Sequence, residues 1–292
     1  MDIGFIGVGK MGGPMGRRLL DAGHRLVVCD VSPNACAELA RRGAQIRSTP
    51  SQVAADCPNI ITSLPSPAEV EVVMRGADGL LSSVRPGALV LETSTIGPAL
   101  SRALAQEFAE RAATYLDAPV SNGVQAAHDG TLTFMIGGDA ADFERAKPIL
   151  APLASDVFHM GPTGSGNIAK LLNQNIYLAY VAAFCESMRL GRSAGLDVQT
   201  LLDVLRKSVA GDPLMTGWEK RIETGDLRPG WPIRRVLKDM TLGAEVCAEQ
   251  SFKAPIFETA LAAFREVGEA GNMEYDLTAL FTASNNTIVH GR

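Results

Sequence analysis

The chain has 292 residues, enough for two domains of ordinary size, each with a buried core. Its composition, with 46% hydrophobic and 20% charged residues, is typical of a soluble globular protein. The formal net charge of −5 argues against a nucleic-acid partner, because such binding rests on a basic surface. No apolar run reaches the length that crosses a bilayer, so no membrane partner is expected.

The five cysteines and four histidines are scattered along the chain, and the cysteines include no CxxC pair. Neither residue type has the spacing of a metal site, so the sequence predicts reduced thiols and no bound metal. The N-terminus enters a strand pattern directly, without a basic leader or a cleavage site. These features together predict a cytoplasmic enzyme.

The first thirty residues follow the pattern strand, glycine-rich turn, helix, strand. In the turn, Gly7, Gly9 and Gly12 have the spacing GxGxxG of dinucleotide-binding folds. The first glycine permits a tight turn, the second lets the backbone approach a pyrophosphate, and the third lets the helix pack on the strand. The helix N-terminus would offer its N–H groups to the phosphates. The turn lacks the ending of an ATP-type loop, because Met11 follows Lys10.

Asp30 ends the second predicted strand, 23 residues after Gly7. A carboxylate at this place accepts hydrogen bonds from a free ribose 2′-hydroxyl and repels a 2′-phosphate. An NADP site would favour an arginine at the next position, which is Val31, although Arg41 and Arg42 follow on the next helix. The sequence therefore favours NAD over NADP without excluding NADP.

The alternation of strands and helices continues to about residue 160. Strands are predicted at 59–65, 88–95, 114–119, 131–138 and 156–160, and helices at 67–75, 98–112 and 140–152. Ligands of a doubly wound sheet gather at the ends of its strands, where Leu64, Pro65 and Thr95 lie. Thr95 could equally cap the helix that begins at Pro98.

A turn of sequence Ser121-Asn122-Gly123 follows the strand at 114–119. It offers a hydroxyl, an amide and backbone N–H groups that could hold a small carboxylate. An ordinary polar turn explains the same three residues equally well.

Residues 161–174, GPTGSGNIAKLLNQ, join this region to a helical second half. Helices are predicted there at 165–194, 197–209, 213–223, 232–250, 255–270 and 276–288. The long first helix carries Lys170, Asn173, Gln174 and Tyr177 at i, i+3, i+4 and i+7, on one face. A solvated stripe is one explanation, but a buried lysine beside two amides fits a site better, because desolvation lowers a lysine pKa towards the range useful for proton transfer. The sequence therefore predicts that residues 161–174 form a catalytic hinge, and not a linker or a second phosphate-binding loop.

Four separated motifs of the chain resemble one family. These motifs are GVGKMGGPM, DAPVSNGVQAAHDGTLTFMIGG, GSGNIAKLLNQ and KDMTLG. They are similar to those of the β-hydroxyacid dehydrogenases, which include 3-hydroxyisobutyrate dehydrogenase, tartronate semialdehyde reductase and the glyoxylate/succinic semialdehyde reductases. The resemblance covers essentially the whole chain.

The resemblance implies an α/β fold: a Rossmann-type doubly wound parallel sheet, followed by an all-α domain joined through a long helix. The expected domains are an NAD(P)-binding domain at 1–162 and a helical substrate and oligomerisation domain at 163–292. A homodimer or homotetramer is expected by the same resemblance.

The resemblance also implies roles for individual residues. Lys170 is expected to be the catalytic acid and base. The substrate, a small carboxylate, is expected to contact Ser121, Asn122, Gly123, Asn173, Gln174 and Lys238. The cofactor, NAD or alternatively NADP, is expected to contact Gly7, Val8, Gly9, Lys10, Met11, Gly12, Asp30, Leu64, Pro65, Thr95 and Lys238. Taken alone, Lys238-Asp239 would be an ion-paired surface dipeptide, an interpretation that the resemblance replaces.

Two positions depart from the family pattern. Gln174 stands where most members have the second asparagine of KxxNN, as in the tartronate semialdehyde reductase branch, and Asn122 stands in the middle of SGG. The expected reaction is hydride transfer between NAD(H) and a short β-hydroxy acid or its semialdehyde. The alternatives are an NADPH-preferring semialdehyde or glyoxylate reductase, an imine reductase, and a non-catalytic NAD-responsive binding protein on the same fold.

Overall fold

The structure is a computed structural model that describes residues 1–208 and 218–282, apart from the side chain of Glu219. The chain divides into two compact units, Met1–Lys170 and Leu171–Arg292. The predicted helical residues 209, 213–217 and 283–288 lie outside the described part. The division falls inside the long helix, eight residues after the predicted domain boundary at 162, and that boundary stays a prediction.

The first unit is built on one sheet with helices between its strands. Its strands are β1 (Asp2–Ile6), β2 (Arg25–Cys29), β3 (Gln45–Ile46), β4 (Asn59–Thr62), β5 (Leu89–Glu92), β6 (Thr114–Asp117), β7 (Val120–Ser121), β8 (Leu132–Gly137) and β9 (Ala154–Gly161). Its helices are α1 (Gly12–Asp21), α2 (Pro33–Ala40), α3 (Pro50–Asp56), α4 (Pro67–Arg75), α5 (Pro98–Ala109), α6 (Gly123–Asp129) and α7 (Ala140–Leu150).

The strand order is β3-β2-β1-β4-β5-β6-β8-β7, with β9 beside β8. From β3 to β6 every pairing is parallel. The order reverses between β1 and β4, which opens a crevice for ligands at the carboxyl ends of these two strands. The glycine-rich turn after β1 lies at this edge.

The core strands are buried on both faces, which explains their continuous apolar sequences. In β1, Ile3 and Phe5 pack into one cluster with α1, whereas Ile6 packs into another with α4 and α5. In β4, Ile61 packs into the first of these clusters and Ile60 into the second. Since successive strand residues point to opposite faces, the helices must cover both sides of the sheet. The predicted doubly wound fold is confirmed.

The far end of the sheet differs from a purely parallel sheet. Strand β8 runs antiparallel to both β6 and β7, and only β9 pairs with it in parallel. Between β6 and β8 the chain forms the short strand β7 and the seven-residue helix α6. Strand β7 pairs antiparallel with β8, so the chain reverses its direction at this end of the sheet.

Prolines mark where four helices of this unit begin. Pro33, Pro50, Pro67 and Pro98 are the first residues of α2, α3, α4 and α5. A proline fits the first helical position because its φ is already close to helical and its missing N–H would have no partner there. These prolines therefore favour the start of each helix at these positions.

The second unit is helical throughout its described part. Its helices are the main part of α8 (Ser165–Ser193), then α9 (Val198–Arg206), α10 (Trp218–Thr224), α11 (Ile233–Glu249), α12 (Pro255–Val267) and α13 (Ala279–Thr282). Along α8, Leu178, Val181, Cys185 and Met188 recur every three or four residues and are buried against the other helices. No helix in residues 1–208 and 218–282 is long and apolar enough to cross a membrane.

Candidate active site

The turn between β1 and α1 needs its glycines for different reasons. Gly7 has φ +84°, and a Cβ there would strike the carbonyl oxygen of Ser63. A Cβ on Gly12 would strike the carbonyl oxygen of Gly7 and lie 2.8 Å from Phe5 Cε1. A Cβ on Gly9 would meet nothing within 4 Å. Gly7 and Gly12 therefore serve the fold, whereas Gly9 borders open space.

The same turn has N–H groups that the protein does not use. Gly7 N donates to Cys29 O over 2.9 Å. The next N–H groups, those of Gly9, Lys10, Met11 and Gly12, have no protein acceptor in the part of the chain that the structure describes. They stand at the N-terminus of α1, where free N–H groups and the helix dipole favour an anion.

Asp30, directly after β2, holds this turn in place. Its Oδ2 accepts a hydrogen bond from Val8 N and its Oδ1 accepts one from Ser32 N, both over 2.7 Å. Each carboxylate oxygen keeps a second lone pair for a ligand hydroxyl. Next to it, Val31 is fully exposed, and Arg42 is paired with Asp21 over 2.7 Å.

A buried carboxylate joins the ends of the next two strands. Glu92, the last residue of β5, accepts hydrogen bonds from Thr62 Oγ1 and from Ser94 N, both over 2.6 Å. Ser94 Oγ in turn accepts one from Leu64 N over 2.7 Å. This network fixes the backbone of the loops after β4 and β5 at the carboxyl edge of the sheet. Sequence reasoning did not single out Glu92.

The predicted cofactor contacts of these two loops lie at that edge. Leu64 is half-buried, Pro65 is exposed and Thr95 is half-buried. Helix α5 begins only at Pro98, with Gly97 as its N-cap and no capping side chain. Thr95 is therefore not the N-cap of this helix, so of its two predicted roles only the contact with the cofactor remains open.

The turn at 121–123 has an unusual backbone. Asn122 and Gly123 have φ +81° and +73°, so two successive residues are left-handed. Asparagine tolerates this region better than most residues other than glycine. The side-chain amide of Asn122 donates to Thr133 Oγ1 over 3.0 Å and to Thr131 O over 3.5 Å, which ties the turn to β8. The hydroxyl of Ser121 is half-buried beside it.

The second glycine-rich turn, at 161–167, is closed by a carboxyl group of the protein itself. Asp117, the last residue of β6, is fully buried, and its two oxygens accept hydrogen bonds from Gly164 N over 2.8 Å and Asn167 N over 2.9 Å. Burial raises the pKa of Asp117, and the N–H groups of Gly164, Asn167 and Gly166 oppose that rise. Sequence reasoning missed this residue, although a polar residue ending a buried strand was a signal.

Lys170 lies on α8, one turn after Asn167, and only 8% of its surface is exposed. Asn167 is itself fully buried and, like Asp117, was not predicted as a site residue. Its amide accepts a hydrogen bond from Ile96 N over 3.3 Å and donates one to Ser101 Oγ over 2.8 Å. The lysine therefore belongs to a helical turn that several hydrogen bonds tie to the sheet and to α5.

Further along α8, in the second unit, the two predicted amides form a chain that ends on a buried aspartate. Asn173 Nδ2 donates to Gln174 Oε1 over 3.4 Å, and Gln174 Nε2 donates to Asp239 Oδ2 over 2.9 Å. Gln174 is buried and Asn173 is exposed. On α11, Lys238 Nζ lies 2.9 Å from Asp239 Oδ1. The dipeptide is paired, but it is not a surface pair, because Asp239 is 5% exposed.

An aromatic cluster follows one turn after Gln174. Tyr177 stacks on Trp231, with ring centroids 5.5 Å apart, and meets Trp218 edge-on at 5.0 Å. Burial raises the pKa of Tyr177 to about 12, so its phenol is neutral at physiological pH. Asp276 accepts hydrogen bonds from the N–H groups of Gly230 and Trp231, each over 2.9 Å, and so fixes the turn that carries Trp231.

Family models and relatives match the whole of this architecture. A model described as the NAD binding domain of 6-phosphogluconate dehydrogenase matches residues 2–161. A second model, described as NAD-binding of NADP-dependent 3-hydroxyisobutyrate dehydrogenase, matches residues 164–283.

Two curated relatives align over nearly the full chain. NAD-dependent L-serine dehydrogenase of Pseudomonas aeruginosa is 34% identical over 95% of this chain and 96% of its own length. Mitochondrial 3-hydroxyisobutyrate dehydrogenase of Mus musculus is 34% identical over 96% of this chain and 85% of its own. Among solved structures, 3-hydroxyisobutyrate dehydrogenase of Mycobacterium tuberculosis, determined with L-serine, is 30% identical with a TM-score of 0.84, covering 96% of this chain and 97% of that chain.

The fold and its open glycine turn define a dinucleotide-binding protein, and the relatives show that it is an NAD(P)-dependent oxidoreductase acting on CH–OH donors. The matches over both halves then specify the family: the chain belongs to the β-hydroxyacid dehydrogenases. The predictions of the family, of an enzyme and of a nicotinamide cofactor are confirmed.

Proposed function

We propose that the protein transfers a hydride reversibly between NAD(H) and the carbinol or carbonyl carbon of a short β-hydroxy acid or its semialdehyde. The observation that carries this proposal is the buried Lys170 in the first turns of α8, anchored to the sheet whose carboxyl edge bears the open glycine turn. Relatives named for the oxidation of L-serine and 3-hydroxyisobutyrate support this substrate class.

The residues at the first turn fit a dinucleotide. The free N–H groups of residues 9–12 suit a pyrophosphate, and the space next to Gly9 lets the backbone approach it. Val8, Lys10 and Met11 complete this turn, Asp30 receives the ribose hydroxyls, and Leu64, Pro65, Thr95 and Lys238 are the further proposed contacts. When bound, the nicotinamide supplies the hydride acceptor or donor. The preference for NAD rests on Asp30 and on Val31, which offers no cation to a 2′-phosphate.

The chain's own residues handle the proton and orient the substrate. Lys170 takes the hydroxyl proton in oxidation and returns it in reduction. Gln174 and Asn173 orient the substrate, and Asp239 holds the Gln174 amide in one orientation. The Ser121 hydroxyl and the Gly123 N–H hold the substrate carboxylate, while the Asn122 amide is committed to β8, so Asn122 contributes through its backbone. Such positioning supplies much of the rate, because it converts an encounter into an oriented reaction.

Lys170→Ala tests the mechanism. We expect kcat to fall by about 10²- to 10⁴-fold, the usual contribution of general acid–base catalysis. Cofactor affinity, followed by NADH fluorescence, should stay within about threefold, because the lysine lies outside the glycine turn. Turnover would be followed by nicotinamide absorbance with L-serine, 3-hydroxyisobutyrate, glycerate and 4-hydroxybutyrate, each with NAD and NADP. Near-wild-type turnover of Lys170→Ala would refute the mechanism.

The same panel, extended by glyoxylate, succinic semialdehyde and a cyclic imine with NADH and with NADPH, separates the alternatives. Cofactor binding without turnover on any substrate favours a non-catalytic NAD-responsive protein, and a preference for NADPH with aldehydes favours a semialdehyde or glyoxylate reductase. Turnover confined to cyclic imines favours an imine reductase, an activity for which a general-base lysine is not needed.

We further propose that residues 1–162 form the cofactor domain and residues 163–292 the substrate and oligomerisation domain of a cytoplasmic homodimer or homotetramer. The family models, which end at 161 and resume at 164, support this division. On α8, Leu172 and Ile176 are 52% and 70% exposed, which supports self-association through this helix. Light scattering on Leu172→Glu and Ile176→Glu would show a loss of the oligomer, and unchanged mass would contradict the proposal.

A further inference from the structure

The Asn167 side chain makes two hydrogen bonds close to Lys170, the proposed proton donor. It is completely buried, and both ends of its amide have partners on elements other than its own helix. A buried amide with two partners is costly to leave unsatisfied, so it specifies one arrangement of the surrounding chain. The arrangement that it specifies joins α8 to the loop after β5 and to α5.

One partner of the Asn167 side chain is a backbone N–H in a loop, and the other is a side-chain hydroxyl on a helix. Ile96 N belongs to the residue that directly follows Thr95, the proposed cofactor contact, and it donates to Asn167 Oδ1. Ser101 Oγ belongs to α5 and accepts from Asn167 Nδ2. The first bond fixes the backbone of the cofactor loop to α8, whereas the second bond only ties two helices together.

The bond from Ile96 N to Asn167 matters for the proposed mechanism because Asn167 lies close to Lys170 on α8. Lys170 follows three residues later, on the same face of the helix. The backbone N–H of Asn167 is bonded to Asp117, so the start of α8 is also held to the end of β6. Asp117 sets where the helix begins, and the Asn167 side chain sets how far its first turns stand from the cofactor loop.

We propose that Asn167 is a positioning residue, whose side chain keeps Lys170 at a fixed separation from the loop that carries Thr95. The inference rests on the proposed function, in which Lys170 moves the proton and Thr95 contacts the cofactor. Its physical basis is the steep dependence of rate on placement, since a displacement of about 1 Å can cost about 10²-fold. The loop itself stays held by Ser94 and Glu92 without Asn167, so cofactor affinity does not depend on this residue.

The test compares Asn167→Ala with Ser101→Ala. Asn167→Ala loses both bonds. Ser101→Ala loses the bond from Asn167 Nδ2, together with the 3.4 Å hydrogen bond that the Tyr115 hydroxyl donates to Ser101 Oγ, and leaves Ile96 N on Asn167 Oδ1. We expect Asn167→Ala to lower kcat by about tenfold or more, with NADH affinity within about threefold, and Ser101→Ala to keep kcat within about twofold. Thermal unfolding of both variants measures the structural loss, and Asn167→Ser, which leaves a smaller cavity, serves if Asn167→Ala does not fold.

A double-mutant cycle distinguishes positioning from a general structural role. In the Lys170→Ala background, measured by single-turnover NADH formation at high enzyme concentration, Asn167→Ala should change the residual rate by less than about twofold, because there is no lysine left to misplace. An equal loss in both backgrounds, or a loss of NADH affinity together with kcat, would overturn the inference.

Failure of the inference and of the proposed function give different results. If Lys170→Ala is nearly inactive and Asn167→Ala is normal, the positioning role is wrong and the mechanism stands. If Lys170→Ala turns over like the wild type, the mechanism itself is wrong.

Discussion

The first unit contains two glycine-rich turns that each lead from a strand into a helix, and they serve opposite purposes. In the first turn, at 7–12, a Cβ on Gly9 would meet open space, and the N–H groups of residues 9–12 have no acceptor among the described residues. In the second, at 161–167, a Cβ on Gly166 would lie 2.9 Å from both Asp117 O and Asp117 Oδ2. The N–H groups at the start of α8 are bonded to that same carboxyl group.

The difference shows what decides whether a glycine-rich turn can bind an anion. Both turns present a helix N-terminus that favours a negative group. The turn at 7–12 leaves its N–H groups free for a ligand. In the turn at 161–167 the N–H groups are bonded to Asp117, a residue 47 positions before Gly164 in the sequence. An anion site is therefore defined by the absence of an internal acceptor as much as by the glycines.

Removing the internal acceptor should have the largest effect. Asp117→Ala leaves the buried N–H groups of Gly164 and Asn167 without a partner, at about 1–3 kcal/mol for each. We expect the free energy of unfolding to fall by about 3 kcal/mol in urea titrations, with kcat falling as well because α8 loses its anchor. Asp117→Asn keeps one acceptor and should lose about half as much. If the free energy of unfolding fell by less than about 1 kcal/mol in Asp117→Ala, Asp117 would not be an important acceptor for the second turn, and the proposed difference between the two turns would be wrong.

The two glycines of the first turn provide a matched pair. Gly9→Ala adds a methyl group to open space, so its stability should stay within about 0.5 kcal/mol while NADH affinity falls by about tenfold or more, because the backbone can no longer approach the pyrophosphate. Gly12→Ala adds the same group against Gly7 O and Phe5 and should lose both stability and affinity. Thermal unfolding and NADH fluorescence measure the two effects. Unchanged NADH affinity in Gly9→Ala would place the phosphates elsewhere.

The choice of cofactor should respond to Asp30 and Val31, the two residues after β2, of which Asp30 accepts a hydrogen bond from Val8 N in the turn. Asp30→Asn combined with Val31→Arg removes the repulsive carboxylate and adds a cation for a 2′-phosphate. The ratio of kcat/KM for NAD to that for NADP should fall by about tenfold or more, which is about 1.4 kcal/mol or more. Val31→Arg alone is the control, since Val31 is fully exposed and Asp30 stays in place. An unchanged ratio in the double variant would show that Asp30 does not discriminate.

The sequence predicted what depends on local pattern. The strands, the glycine turn at 7–12 and the long helix α8 follow from apolar runs, glycine spacing and helical period. It did not reveal Asp117, Glu92 or Asn167, because each acts on a segment about 30 to 70 residues away, and only the folded sheet brings the partners together. The antiparallel end of the sheet was missed for the same reason, since the partner and the direction of a strand depend on the folded sheet and not on the strand's own sequence.

Lys238-Asp239 shows how the two sources of information complement each other. The dipeptide alone predicts a surface ion pair, and the two charges do lie 2.9 Å apart. What the pair does depends on Gln174, which comes from another helix and bonds to the buried Asp239. The sequence around the dipeptide does not indicate that Asp239 is buried, so only the family resemblance gave Lys238 a predicted role in a site.

The smallest effect is expected at the turn 121–123. Here the Asn122 side chain bonds to the protein itself, as the Asp117 side chain does at the turn 161–167. The amide of Asn122 is bonded to Thr133 Oγ1, and its backbone is left-handed at φ +81°. Asn122→Gly loses one exposed hydrogen bond and gains a residue suited to that backbone, so stability should change by less than about 1 kcal/mol. If the substrate carboxylate binds to Ser121 and the N–H of Gly123, KM should change by less than about twofold. Steady-state kinetics on the preferred hydroxy acid measures this, and a KM that changes by tenfold would show that the Asn122 side chain leaves β8 to contact the substrate.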